Sequence, residues 1–337
     1  MALTYKQAGV DVQNIKKSQS AIGRIIASTH KLQKVKTGFG HYAGLVEIDK
    51  KRFLATHTDG VGTKVLIANA LKKYDTIGID CIAMNVNDII CIGASPVSFV
   101  DYIAANKNSQ SIFVQIAKGL AAGAKKAGVP IVGGETAIMP DLFSGKKFSF
   151  DLAGMVAGIV NKNRTILGDR IKARDEIVGI YSSGIHSNGY SLARKVLLKK
   201  HSINDSVRGL GKIGDSLLMP TEIYVKPVLE IIKKCQVHGL ANITGGAFTK
   251  LLRLKNTGFV LDSMPEPPKI MQLIQDLGVR EDEMYKTFNM GIGFCVVAPK
   301  GNSEQIISIC KKYKLKSQVI GSISNKKGVF VNSKKLA

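Results

Sequence analysis

Apolar positions along this chain repeat with two periods, and the switches between them mark out its elements. Ile15, Ile22, Ile25 and Ile26 recur at helical spacing within residues 12–34, which predicts an opening helix. Short strands are expected at 45–48 and 53–58, helices at 63–73 and 76–92, a strand at 97–104, a helix at 111–127, a short strand at 130–132 and a longer one at 152–160. Residues 161–170 are polar and turn-rich and predict a junction. The pattern then restarts with a strand at 176–182, helices at 190–200 and 225–234, a strand at 294–298 and a helix at 303–313, with Pro265, Pro267 and Pro268 punctuating a loop. Helices and strands mix without a regular βαβ rhythm, so the expected class is α+β in two domains, 1–170 and 171–337.

Composition changes this picture little. The 337 residues are 45% hydrophobic and 22% charged, enough to bury a large core and to exclude a disordered or fibrous chain. No apolar run approaches a membrane span, so a cytoplasmic protein is expected. Five widely spaced cysteines with no C-x-x-C pair read as reduced thiols, mostly in the core. The net charge of +23 invites a nucleic-acid partner. Its distribution argues against one: residues 54–105 carry five acids against three bases, and the excess sits in lysine-rich stretches such as Lys311, Lys312, Lys314 and Lys316. There is no Trp, and the aromatic content of 6% offers little base stacking.

The candidate chemistry lies in glycine-rich loops with acids beside them. Thr58-Asp59-Gly60-Val61-Gly62-Thr63-Lys64 joins a predicted strand to a predicted helix, where free amides face an anion, Lys64 adds charge and Asp59 holds a metal ion; its spacing is not that of a P-loop. On the next helix Asp80, Met84 and Asp88 lie four apart on one face, with Asn87 beside them. Asp80 either joins that site or merely caps or pairs locally. Gly133-Gly134-Glu135-Thr136 places a carboxylate just after a short strand. Asp59, Asp88 and Glu135 are the expected magnesium set, since a hard cation between acids and a triphosphate turns repulsion into ligation. In the second half His186-Ser187-Asn188-Gly189 leads into a helix and Thr244-Gly245-Gly246 forms a weaker loop. His186 is either a general acid or base or an oriented hydrogen-bond partner.

Together with the D-x4-G-A-x-P run at Asp88 to Pro96, Asp101-Tyr102, and Phe288-Asn289-Met290-Gly291-Ile292-Gly293, these segments resemble the aminoimidazole ribonucleotide synthetases, the phosphoribosylformylglycinamidine cyclo-ligases, over nearly the whole chain. That resemblance implies a homodimer in which the first domains share a β-barrel, a mixed α/β second domain, and ATP-dependent ring closure of a small ribonucleotide with ATP and Mg2+, the K+ requirement remaining open. It implies catalytic roles for Lys64, Asp101 and His186. Nucleotide contacts fall to Gly38, Gly40, Thr58, Asp59, Gly60, Gly62, Thr63, Lys64, Asn87, Gly134 and Thr136, and substrate contacts to Ser187, Asn188, Gly189, Thr244 and Gly245. Two departures stand out: the loop around Gly38 and Gly40 is short, and Asn242 stands where a histidine is common, so that histidine's role does not carry over. A thiamine-monophosphate kinase-like relative and a basic nucleic-acid-binding protein are the competing readings; neither a membrane nor a nucleic-acid partner is expected.

Overall fold

In the computed structural model of the chain, which describes residues 3–37, 40–143 and 147–337, two sheets divide the molecule. The first is built from β1 (Val35–Thr37), β2 (Gly44–Glu47), β3 (Arg52–Gly60), β4 (Ser95–Ala105), β5 (Ile131–Ile138) and β6 (Phe150–Asn161) in the order β1-β2-β3-β6-β4-β5. Its helices are α1 (Val12–Ile26), α2 (Val65–Leu71), α3 (Ile77–Ile90) and α4 (Gln110–Ala127). Within this sheet, among the described residues, only β4 and β5 pair in parallel, because α4 carries the chain back across the sheet between them.

Along β6 burial alternates: Phe150, Leu152, Gly154, Val156, Gly158 and Val160 point under α3, while Asp151 and Met155 point away. Gly154 is required there, because a Cβ would lie 2.2 Å from the Phe99 ring and 3.1 Å from Cys81 Sγ. Gly78 does the same for α3 against α4, where a Cβ would meet Leu120 N at 2.2 Å. As a result α3 is buried almost all round, polar residues included, between the first sheet and the second domain. The other face of the sheet is open, with Val97, Tyr102, Val132 and Met155 on the surface.

The second sheet comprises β7 (Glu176–Tyr181), β10 (Gly239–Asn242), β11 (Gly258–Leu261), β12 (Ile292–Ala298), β13 (Ser317–Ser324), β14 (Gly328–Val331) and β15 (Lys334–Lys335), ordered β10-β12-β7-β13-β11-β14-β15, while β8 (Ser206–Val207) and β9 (Gly211–Lys212) form a separate hairpin. Helix α5 (Tyr190–Lys200) starts after Gly189, which has φ +79° and whose Cβ would sit 2.5 Å from the Phe288 ring.

Three sequence expectations shift. Helix α1 forms, yet Ile22 and Ile25 are 50% and 74% exposed, so its apolar stripe faces outward rather than into the core. Strand β5 runs on through Gly133, Gly134 and Glu135, since parallel pairing to β4 overrides the weak strand preference of glycine. In the second half β10, β11 and β14 have four residues each, too few to show a period.

Candidate active-site cleft

The face of α3 that carries Asp80, Met84 and Asp88 does turn to the second domain. Eight residues of helix span about 12 Å, however, so the two carboxylates serve separate sites.

The Asp80 end is sealed. Lys64 is fully buried, and its Nζ donates to Asp80 Oδ1 at 2.8 Å, to the His186 carbonyl at 3.0 Å and to the Met219 carbonyl at 2.6 Å. An ammonium has three protons, and all three are used. The same Asp80 oxygen accepts from Thr221 N at 2.8 Å and Thr221 Oγ1 at 2.6 Å. Burial lowers the Lys64 pKa and the Asp80 charge opposes that fall. His186, with φ +66°, is buried and pushed down to about 3 by desolvation and by Lys64, so its ring is neutral at pH 7; its Nε2 accepts from Ser183 N at 3.3 Å. Asn87 Nδ2 donates to the Glu222 carbonyl at 2.8 Å and its Oδ1 accepts from Tyr224 N at 3.0 Å, and Ser187 Oγ lies 3.3 Å from Thr221 Oγ1. Lys64, through the His186 and Met219 carbonyls, and Asn87, through residues 222 and 224, therefore stitch the domains together, while Ser187 bonds within the second domain. The expectation that Lys64 lies at a phosphate meets a side chain with no solvent access, and His186 makes an oriented hydrogen bond rather than presenting a titrating ring.

The Asp88 end is a second polar cluster, in which Asp88, Asn85 and Asn242 are buried and Asp59 and Lys250 are partly exposed at the edge. Asp88 Oδ1 accepts from Asn242 Nδ2 at 2.6 Å, and His57 Nε2 stands 3.5 Å from Asp88 Oδ2. Asp59, on β3 two residues beyond His57, is raised in pKa by burial and then by the Asp88 charge, while His57 and Lys250 pull it back. Asn85 Nδ2 reaches the Asp59 carbonyl at 3.1 Å and the Cys81 carbonyl at 2.9 Å. From the second domain come Asn188, whose Nδ2 is 4.0 Å from Met84 Sδ and whose Oδ1 leaves Gly245 no room for a comfortable Cβ, at 3.0 Å, and Thr244, which accepts from Lys250 Nζ. Gly60 N caps Asp59 Oδ1 at 2.8 Å, and Gly62 (φ +68°) and Thr63 lie exposed beside it.

The remaining expected residues fall elsewhere. Register places Asp59, Gly154, Asp101 and Gly134 in one row across the sheet, all on the α3 face, with Asp101 two strands or roughly 10 Å from Asp59. Burial raises the Asp101 pKa, and a Cβ on Gly134 would lie 2.6 Å from Asp101 Oδ1. Glu135 pairs with Tyr102 one position on, so the period of two turns it to the open face, away from Asp59 and Asp88. Thr136 N bonds Glu135 Oε1 at 2.8 Å, and Thr58 Oγ1 donates to the Gly154 carbonyl at 2.8 Å. Among the described residues no three His, Cys, Asp or Glu side chains gather as a metal site, so the expected Asp59, Asp88 and Glu135 set is not assembled within one chain. Gly40 is an exposed turn residue with φ +109°, and Gly38 lies outside the described residues. Sequence reading missed His57 and Lys250; only the adjacency of His57 to Asp59, and of Lys250 to the Thr244-Gly245-Gly246 loop, hints at them.

Known proteins match this arrangement throughout. The family models described as AIR synthase related protein, N-terminal domain and C-terminal domain match residues 40–160 and 172–334. A phosphoribosylformylglycinamidine cyclo-ligase of Pyrococcus horikoshii is 50% identical, over 92% of each chain. Among solved structures, the thiamine-monophosphate kinase from Stenotrophomonas maltophilia K279a has a TM-score of 0.66 at 17% identity, covering 93% of this chain and 95% of that one. The AaThiL complex with AMPPCP and TMP has a TM-score of 0.65, also at 17% identity, covering 93% and 94%. At that identity the two structures speak for the two-domain fold alone.

Proposed function

The chain belongs to the AIR synthase related family, and from that premise we infer that it is an ATP-dependent C–N ligase of purine biosynthesis, closing formylglycinamidine ribonucleotide to 5-aminoimidazole ribonucleotide with release of ADP and phosphate. The observation that carries this is the match across both domains, at half the positions, to a protein of that name and nearly the same length.

The chemistry requires an activated oxygen. A formyl oxygen leaves poorly as hydroxide; it therefore attacks the γ-phosphorus, the P–O bond to the β-phosphate breaks, and ADP departs. The neighbouring amidine nitrogen then attacks the same carbon: the C–N bond forms, the C–O bond breaks, phosphate leaves and the nitrogen loses its proton. Holding both groups in one bound molecule contributes up to about 7–11 kcal/mol through proximity. In this reading Gly60, Gly62 and Thr63 receive the triphosphate, while Asn188, Thr244 and Gly245 face the ribonucleotide from the second domain. ATP use is further supported by the AMPPCP bound in the AaThiL complex of the same fold.

The donor set at Asp59 and Asp88 suits magnesium. Asp59 is raised first by burial and then by the nearby Asp88 charge, and the Asn85 and Asn242 side-chain oxygens are buried without hydrogen-bond partners among the described residues. Asp59, Asp88, Asn85 and Asn242 would hold the ion. Bound there, magnesium supplies charge neutralisation for phosphoryl transfer.

A second copy of the chain on the open face of the first sheet, giving the expected homodimer and barrel, is part of the proposal; the exposed Val97, Tyr102, Val132 and Met155 and the unpaired edge of β5 support it. Glu135 and Thr136 would lie at that interface. The cytoplasmic location is likewise proposed; among the described residues no helix is long and apolar enough to cross a membrane.

The test is a coupled assay of the purified chain with magnesium, ATP and formylglycinamidine ribonucleotide, following ADP and the imidazole product together. Equal amounts of both are expected. ADP without the imidazole points to a different ATP-dependent reaction, and neither product overturns the reading.

A further inference from the structure

A phosphoryl group carrying negative charge through its transfer needs a cation with protons to give. Lys64, the obvious candidate in the glycine loop, has none left: three acceptors hold its three protons in a sealed seam. Lys250 is in the opposite state. It sits in the 3-10 turn Ala247–Arg253, which begins at Gly246 (φ +84°), directly after the strand that brings Asn242 to Asp88. That short connection fixes its reach: Asn242 touches Asp88, and eight residues later Lys250 returns to the same loop to bond Thr244 Oγ1.

Among the described residues this is the one hydrogen bond that Lys250 Nζ makes, which leaves two protons. The ammonium lies 5.9 Å from the Tyr42 ring centroid, with the Arg253 guanidinium 5.8 Å from the same ring, so one buried aromatic steadies both cations. Burial lowers the Lys250 pKa, and the charges of Asp88 and Asp59 are what hold it up. The residue is partly exposed, unlike Lys64. No ionisable group on the 242–246 segment competes with it, because Asn242 is neutral.

We propose that Lys250, from the second domain, is the cation that meets the terminal phosphoryl group of the nucleotide held at Asp59 and Asp88. Lys250 forms no covalent bond in this step; it donates hydrogen bonds to oxygens whose charge changes during transfer. The assignment rests on the functional reading above and adds to it a residue that the glycine-loop motif does not contain. It also has a geometric consequence: because Asp59 and Lys250 come from different domains, the site is complete only when the domains are closed as the Lys64 seam holds them.

The experiment compares binding of magnesium AMPPCP and magnesium ADP by titration calorimetry, and turnover in the coupled assay, for the native chain, Lys250→Met and Lys250→Arg. Losing a charged donor to the γ-phosphate should weaken AMPPCP about 10- to 100-fold while ADP changes by less than about threefold, and kcat should fall by about 10²-fold. Lys250→Arg keeps the charge and should recover most of the AMPPCP affinity. Should Lys250→Met fail to fold, Lys250→Gln removes the charge while still reaching Thr244, and the same ratio is read. Equal weakening of AMPPCP and ADP, or no weakening of either, overturns the assignment, since a packing role does not distinguish the third phosphate. Native chain that binds AMPPCP but makes no imidazole product overturns the functional reading alone, with Lys250 still judged by the ratio; native chain that binds neither nucleotide overturns both.

Discussion

Two lysines and three aspartates gather in two clusters about 12 Å apart along the same helix, and the clusters have opposite characters. At one end of α3 the Lys64–Asp80 pair is closed off from water and every lysine proton has an acceptor. At the other, Asp88 and Asp59 repel one another, Lys250 has protons to spare, and two amide oxygens wait without partners. At the sealed end every lysine proton is matched, although Asp80 Oδ2 and His186 Nδ1 have no partner among the described residues; at the other end lysine protons as well as amide oxygens are left for a ligand. The comparison teaches that two lysines alike in charge differ in how many of their donors are filled, three for Lys64 and one for Lys250 among the described residues.

The comparison breaks most directly at the sealed end. Lys64→Met leaves the Asp80 carboxylate buried with only Thr221 to hold it, and should cost about 3–5 kcal/mol of stability in urea unfolding. A variant that keeps its stability within about 1 kcal/mol yet loses ATP turnover would return Lys64 to the phosphate. At the open end Asp88→Asn should do the reverse: unfolding close to native, because the amide can still face Asn242, with magnesium-dependent turnover reduced by more than about 100-fold.

An effect spread over several pH units should appear on acidification. His186 is held neutral in the fold at a pKa of about 3, against 6.5 for the free side chain, so below about 6.5 the unfolded chain takes up a proton that the native chain refuses. Stability is then complete above that value and falls as pH drops toward about 3, by at most about 1.4 kcal/mol per pH unit from this group. His186→Asn, which tolerates the positive φ, should flatten that slope in unfolding curves taken across the same window. The smallest change is expected from Glu135→Gln, whose carboxylate faces away from Asp59: its magnesium titration should stay within about twofold of native. A shift as large as that of Asp88→Asn would show that a neighbouring copy brings Glu135 back to the site.

Much of the arrangement follows from the order of residues alone. Spacing along α3 put Asp80, Met84 and Asp88 on one face, and the helix after the His186–Gly189 turn begins at Tyr190 as expected. Such features depend on neighbours within a turn or two, where backbone geometry fixes which side chains share a face. The family, too, was legible, because its motifs are local strings. The direction of Lys64, the continuation of β5 through two glycines, the exposure of the α1 isoleucines and the presence of Lys250 at the acids were not. Lys64 finds its partners 16, 122 and 155 residues away, and Asn242 reaches Asp88 across 154. The sequence by itself determined which polar groups the chain carries and on which face of each element they lie. Only the packing of the second domain on α3 decided which donors and acceptors were filled and which were left over, because desolvation and hydrogen-bond filling depend on everything that surrounds a group.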